Sequence, residues 1–198
     1  MRKMFSVVAV AALAGAASAA VYTNQATFVS QLAAGYSFNP FNDVVAGPSG
    51  PLSYSIGGFS YVVSTQPGSL SGLYNDPGVI STDNASDQIL VTFTSGNVTA
   101  VGGNMWSTDI LVQPVPSTVT ITLSDGQIRT FNSTLPTDFT GFTSGVTITS
   151  ILIDAGNTAT GGPAWATLDN LYVGRAIPAP GAAAAFGLVG LAGLRRRR

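Results

Sequence analysis

Apolar and polar residues alternate with a period of two through much of the chain between Gly57 and Gly174. That period puts successive side chains on opposite faces of a strand, so it predicts half-buried β-structure. The clearest case is "STVTITLSDGQIRTFN" (Ser117–Asn132). Val119, Ile121 and Leu123 alternate with threonines, Asp125-Gly126 turns the chain, and Ile128 resumes the pattern. In "DQILVTFTSGNVTAVGGNMW" (Asp87–Trp106), Ile89, Val91 and Phe93 share one face, and Ser95-Gly96-Asn97 separates that strand from a second. Gly57–Ser64, Gly145–Ala155 and Ala164–Gly174 supply further strands. β-Branched residues recur throughout, with turn signals roughly every 8–12 residues.

Helical spacing occurs once in the body. In "YTNQATFVSQLAAGYSF", Phe28 and Leu32 fall on one face, Thr23 or Asn24 is placed to cap, and Gly35 is a stop signal. This predicts one short helix over Asn24–Ala34. Many short strands without interleaved helices predict an all-β fold. We expect an antiparallel two-sheet β-sandwich, jelly-roll-like, with that single N-terminal helix. Gln66-Pro67-Gly68 and Gly161-Gly162-Pro163 read as surface loops, and Tyr74–Asp87 as one loop-like stretch.

The two ends follow other patterns. "MRKMFSVVAVAALAGAASAA" opens with Arg2 and Lys3, continues through a short apolar run, and offers Ala17, Ser18 and Ala19 as small residues at a signal-peptidase spacing. The run is shorter than the roughly 20 residues a membrane span needs. Removal by signal peptidase is therefore expected, leaving an exported chain that starts near Ala20. At the other end, "IPAPGAAAAFGLVGLAGLRRRR" carries Pro178, Ala179 and Pro180, then an uncharged run, then Arg195, Arg196, Arg197 and Arg198. The prolines interrupt structure. The run predicts a short transmembrane helix, and the arginines oppose passage through lipid. The chain thus divides into a signal peptide (1–19), an exported β-sandwich domain (20–176) and a tail (177–198).

Composition sharpens this picture. The 198 residues include no cysteine and no histidine, and all nine acidic residues are aspartates in the central body. Only Arg129 and Arg175 oppose them there, a balance of −7. Such a body repels phosphate backbones, which excludes nucleic acid as a partner. The absent residue types close the Ser-His-Asp triad, the Cys-His pair, the histidine zinc site and any disulfide framework.

Aspartate chemistry is what remains. A glycosidase needs two carboxylates across a sugar, and Asp109, Asp138, Asp154 and Asp169 are the nominal candidates. Aspartates at turns are ordinary turn formers, so a catalytic pair is the third reading. Calcium favours oxygen ligands; Asp76, Asp83 and Asp87 share one stretch and Asp169 lies in the last strand, but no EF-hand spacing is present. No cofactor is expected otherwise. Trp106, Trp165, Tyr74 and Tyr172 are the aromatic candidates for a carbohydrate site. Trp106, followed closely by Asp109, is the better candidate for exposure among them, although core or rim packing is favoured even for it.

The tail of Pro-x-Pro, apolar run and arginine cluster resembles the PEP-CTERM sorting signal of bacterial exported proteins. That family has Glu between the prolines, where this chain has Ala179. The resemblance implies recognition by an exosortase, a membrane cysteine protease or transpeptidase, with transient residence in the inner membrane and then delivery to the cell surface or beyond. "VTAVGGNMWSTD", "GFTSGVTITSILIDA" and "ATLDNLYVG" are also similar to segments of domains found above such tags. The expected function is that of a non-enzymatic exported sandwich sorted to the cell envelope or extracellular matrix. The alternative is a lectin- or adhesin-like module binding extracellular polysaccharide, with or without calcium.

Overall fold

The computed structural model describes residues 19–178, and of these 19–177 fall in one compact unit. Among the described residues the fold is all-β: two antiparallel sheets and one short helix. The eight-stranded sheet contains β1 (Ala20–Tyr22), β2 (Ser37–Asn39), β3 (Gly47–Ser49), β6 (Leu73–Asp76), β7 (Val79–Thr82), β9 (Ala100–Thr108), β12 (Phe139–Thr143) and β14 (Trp165–Gly174). Its order is β1-β12-β9-β14-β7-β6-β3, with β2 pairing the second half of β14. The six-stranded sheet runs β11 (Ile128–Ser133), β10 (Ser117–Leu123), β13 (Ser150–Thr158), β8 (Ile89–Phe93), β5 (Phe59–Thr65) and β4 (Leu52–Ile56).

The alternation read from the sequence is what joins the sheets. Val91, Val119, Ile121, Ile151 and Ile153 of the six-stranded sheet share one core cluster with Ile80, Val101, Met105, Phe142 and Leu168 of the other. A sandwich-like architecture follows, because each sheet must bury its apolar face and each supplies the other's cover.

The predicted β10–β11 hairpin forms with Thr122 opposite Ile128, and Gly126 takes the left-handed conformation (φ +91°) that its turn demands. Gly57 and Gly58 close the β4–β5 hairpin with φ +60° and +82°, the two-residue turn that matches strand twist.

Several expectations are corrected. The helix α1 covers only Gln25–Val29. Asn24 caps it, its Oδ1 accepting from the Thr27 N–H at 2.9 Å. It stops short of Ala34 because the following residues pair with the chain end: Leu32 bridges Ala176, and Ala33 donates to the Arg175 carbonyl at 2.8 Å. Tyr74–Asp87 is not one loop. Its first part is the β6–β7 hairpin, closed by Pro77-Gly78 with Gly78 at φ +82°. The strand expected from Gly145 begins at Ser150. No helix among the described residues is long and apolar enough to cross a membrane, and the predicted C-terminal transmembrane helix lies outside them.

A second apolar cluster covers part of the outer face of the eight-stranded sheet. Phe28 and Leu32 from the helical segment pack there on Ala100, Phe139, Tyr172 and Ala176. The rest of that outer face carries the site described next.

Candidate functional site

On the outer face of the eight-stranded sheet the polar side of the alternation produces a ladder of hydroxyls. Ser81 on β7 and Thr167 on β14 are register partners, and their oxygens lie 3.3 Å apart. Thr167 reaches Thr108 on β9 at 3.0 Å, and Ser81 donates to the Ala166 carbonyl at 3.1 Å. Tyr74 on β6 is the register partner of Ser81, and Trp165 is that of Thr108. A cavity of about 160 Å³ opens beside this ladder, lined by Tyr74, Ser81, Thr82, Asp83, Asp109, Ile110, Val112 and Trp165.

The loop after β9 forms one wall. Asp109 organises it: its Oδ1 accepts from the Leu111 N–H at 2.8 Å and the Gln113 N–H at 2.9 Å. Val112 is held at φ +60°, a conformation that a β-branched residue rarely adopts. Ile110 and Leu111 project outward, about three-quarters exposed. Thr82 is buried, yet its hydroxyl has no hydrogen-bond partner.

Of the aromatic candidates, Trp165 is half-buried and Tyr74 is 37 % exposed, and both line the cavity. Trp106 packs as the favoured core reading has it and is not available as a carbohydrate platform: it is 3 % exposed, and its indole N–H has no partner. Its position explains this. It lies within β9, opposite Thr167, in a strand whose nine residues are all buried. Tyr172 is also buried, its hydroxyl accepting from Gln25 Nε2 at 2.6 Å. Ser81, Thr82, Ile110 and Val112 were not singled out from the sequence. Nothing in their local pattern separates a cavity wall from an ordinary strand or loop.

The aspartates take separate roles. Asp109 and Asp83 meet at the cavity. Asp76 is the partner of Val79 at the hairpin turn, whereas Asp83 follows Thr82 at the other end of β7. At about 3.3 Å per residue, some 13 Å of strand separates them, too far for one cation. Asp87 is buried and turned away, accepting from the Leu70 N–H at 3.0 Å and the Ser71 N–H at 2.9 Å. Asp169 is half-buried beside Asn170 and Asn104. Asn170 donates to both its oxygens, and Asn170 Nδ2 also reaches Asn104 Oδ1 at 3.1 Å. Desolvation pushes the Asp169 carboxyl up to about 6 against the Asn170 hydrogen bond that lowers it. Among the described residues no three acidic side chains gather to hold a metal.

The nominal glycosidase aspartates do not converge either. Asp154 alternates with the core residues Ile153 and Ala155 on the outer side of the six-stranded sheet, whereas Asp169 lies on the outer side of the other. Asp138 caps its own loop, accepting from the N–H groups of Thr134 at 2.7 Å and Leu135 at 3.0 Å.

Of the processing residues, Ala19 and Pro178 are exposed at the two ends of the described segment. Ala17, Ser18, Ala179, Pro180 and Arg195 to Arg198 lie outside it.

Fold and site together describe an all-β, sandwich-like domain with one small acidic-aromatic cavity on its larger sheet. No family model, no curated protein and no solved structure matches the chain.

Proposed function

We propose that this chain is a non-enzymatic bacterial β-sandwich, jelly-roll-like in connectivity, exported by its signal peptide and sorted to the envelope or extracellular matrix by a PEP-CTERM-like tail. The observation that carries the reading is a coincidence of boundaries. The sequence places a signal-peptidase cut after Ala19 and a sorting motif from Pro178. The first strand starts at Ala20 and the compact unit ends at Ile177. Removing both ends would leave every strand and the helix of the described residues intact. The jelly-roll element of the proposal draws support from the chain's path: from β8 to β14 it changes sheet at each step except the β10–β11 hairpin.

In this reading Ala17, Ser18 and Ala19 present small side chains to signal peptidase. The body crosses the membrane, the apolar run after Gly181 holds it there, and Arg195 to Arg198 stay on the inner side. An exosortase then acts near Pro178-Ala179-Pro180.

The test replaces Arg195–Arg198 with serine and follows the chain by membrane fractionation and mass. Loss of membrane residence and of C-terminal processing is expected. Unchanged residence and mass would overturn the sorting assignment.

A further inference from the structure

We infer that the cavity between Tyr74, Trp165 and the loop after β9 binds the ring of a neutral sugar. The inference stands apart from the export reading, since it concerns only what the folded body can hold.

A sugar ring presents an apolar C–H face and a rim of hydroxyls. It needs an aromatic surface on one side and hydrogen-bond acceptors and donors around the edge. Both classes converge here. Tyr74 and Trp165 come from strands whose backbones are fixed by their register partners Ser81 and Thr108, so both rings are presented from a preformed sheet. Asp109 commits one carboxylate oxygen to two backbone N–H groups, which fixes its orientation and leaves Oδ2 for a ligand. Asp83 is exposed, and its carboxylate makes no hydrogen bond among the described residues.

The hydroxyls on the cavity's side of the sheet are those of Ser81, Thr167 and Thr108, whereas the Thr82 side chain shares the inner face with its register partner Leu73. Val112 holds a strained backbone conformation in the facing wall, and such strain collects at ligand clamps.

Charge and size narrow the ligand. Two carboxylates line the cavity and neither body arginine does, so uronates and sulfated or phosphorylated sugars are repelled. The volume of about 160 Å³ falls below the roughly 300–1,000 Å³ of pockets that enclose a drug-sized ligand. One ring enters, and the rest of a glycan runs out over the exposed Ile110 and Leu111.

The experiment titrates the purified full chain, in a detergent without a sugar headgroup, with a panel of neutral oligosaccharides. Matched uronates and a simple alkylammonium salt form the comparison arms. Calorimetry and tryptophan fluorescence report binding. At least one neutral oligosaccharide should bind saturably at or below about 1 mM. Tyr74→Ala and Asp83→Asn, both at exposed positions, should each weaken it by about tenfold or more with an unchanged Tm. These two variants carry the test even where Trp165→Ala fails to fold. Absence of binding, unchanged affinity in both variants, equal binding of the uronate or the alkylammonium, or loss of binding with a chelator would each overturn the proposal.

Discussion

The ring of Phe28 lies so close to Gly141 that a Cβ built there would meet its Cδ2 at 2.5 Å and its Cγ at 2.6 Å. Gly102, the register partner of Gly141, leaves the same hollow, where a Cβ would meet Phe28 Cε1 at 2.8 Å. Two adjacent glycines on neighbouring strands thus make a seat for one aromatic ring. Phe28 is flanked there by Tyr22 at 5.8 Å, Phe139 at 5.5 Å and Tyr172 at 6.4 Å between ring centroids. This is how a five-residue helix, too short to be stable alone, is held on the sheet.

Gly141→Ala should therefore destabilise the fold by about 1–3 kcal/mol through overpacking. Phe28→Ala should cost about 3–5 kcal/mol. The two residues share one contact, so the double variant should lose less than the sum of the single losses. Urea unfolding of the four chains checks this, and simple additivity would mean that the ring and the glycine do not act together.

Asp87 is a loop clamp, and a calcium-ligand role predicts different behaviour. Its two oxygens hold the N–H groups of Leu70 and Ser71. Asp87→Ala should cost about 1–3 kcal/mol by orphaning those donors, and Asp87→Asn less, because one acceptor oxygen is kept. Calcium or a chelator should shift the Tm of the wild type by no more than about 1 °C, since a ligand that does not bind the folded state cannot stabilise it. A thermal scan with and without calcium decides it.

The strands that were legible in the sequence are those buried on one face and wet on the other. Val119, Ile121 and Leu123 announce β10 because threonines separate them. β9 is harder, because both its faces are covered and its nine residues include two glycines and Asn104. The same double burial hides Trp106, whose environment depends on what lies across the sheet rather than on its neighbours in sequence. β1, β2 and β3 have three residues each, too few to display a period. β6 and β7 were masked by turn-forming residues, since "YNDPGVIST" reads as a loop until its hairpin pairing is seen. The cavity was legible only as ingredients: Tyr74 and Asp83 flank one hairpin, and strand order alone brings them to Asp109 and Trp165 from two other segments.

Where the chain leaves the domain it is fastened by backbone bonds. Ile177 donates to the Gln31 carbonyl at 2.8 Å, and Ala176 donates to Thr99 Oγ1 at 2.9 Å. Thr99→Val removes that acceptor and should lower stability by about 1 kcal/mol. Local opening should respond more than global unfolding, so amide exchange at Ala176 and Ile177 should quicken while β10 and β13 stay protected. Hydrogen exchange read residue by residue makes the comparison; equal acceleration in the core strands would show that the fastening is not a separate unit.

Asp169 gives the fold a pH dependence of its own. Burial raises its carboxyl from the usual 3.8 to about 6 in the folded state, and no cation offsets that cost. The folded chain therefore binds this proton more tightly than the unfolded chain does. By linkage, the contribution of Asp169 to stability is full below pH 3.8, declines as pH rises through about 6, and is flat above. Asp169→Asn has no proton to lose there. Its hydrogen bonding to Asn170 changes as well, so the informative quantity is the slope and not the absolute difference. Across pH 4 to 6.5, wild-type stability relative to the variant should fall steadily, and the two curves should run parallel from about pH 7 upward. Parallel curves across the acid range as well would mean that Asp169 titrates normally, with its carboxylate solvated rather than buried against Asn170.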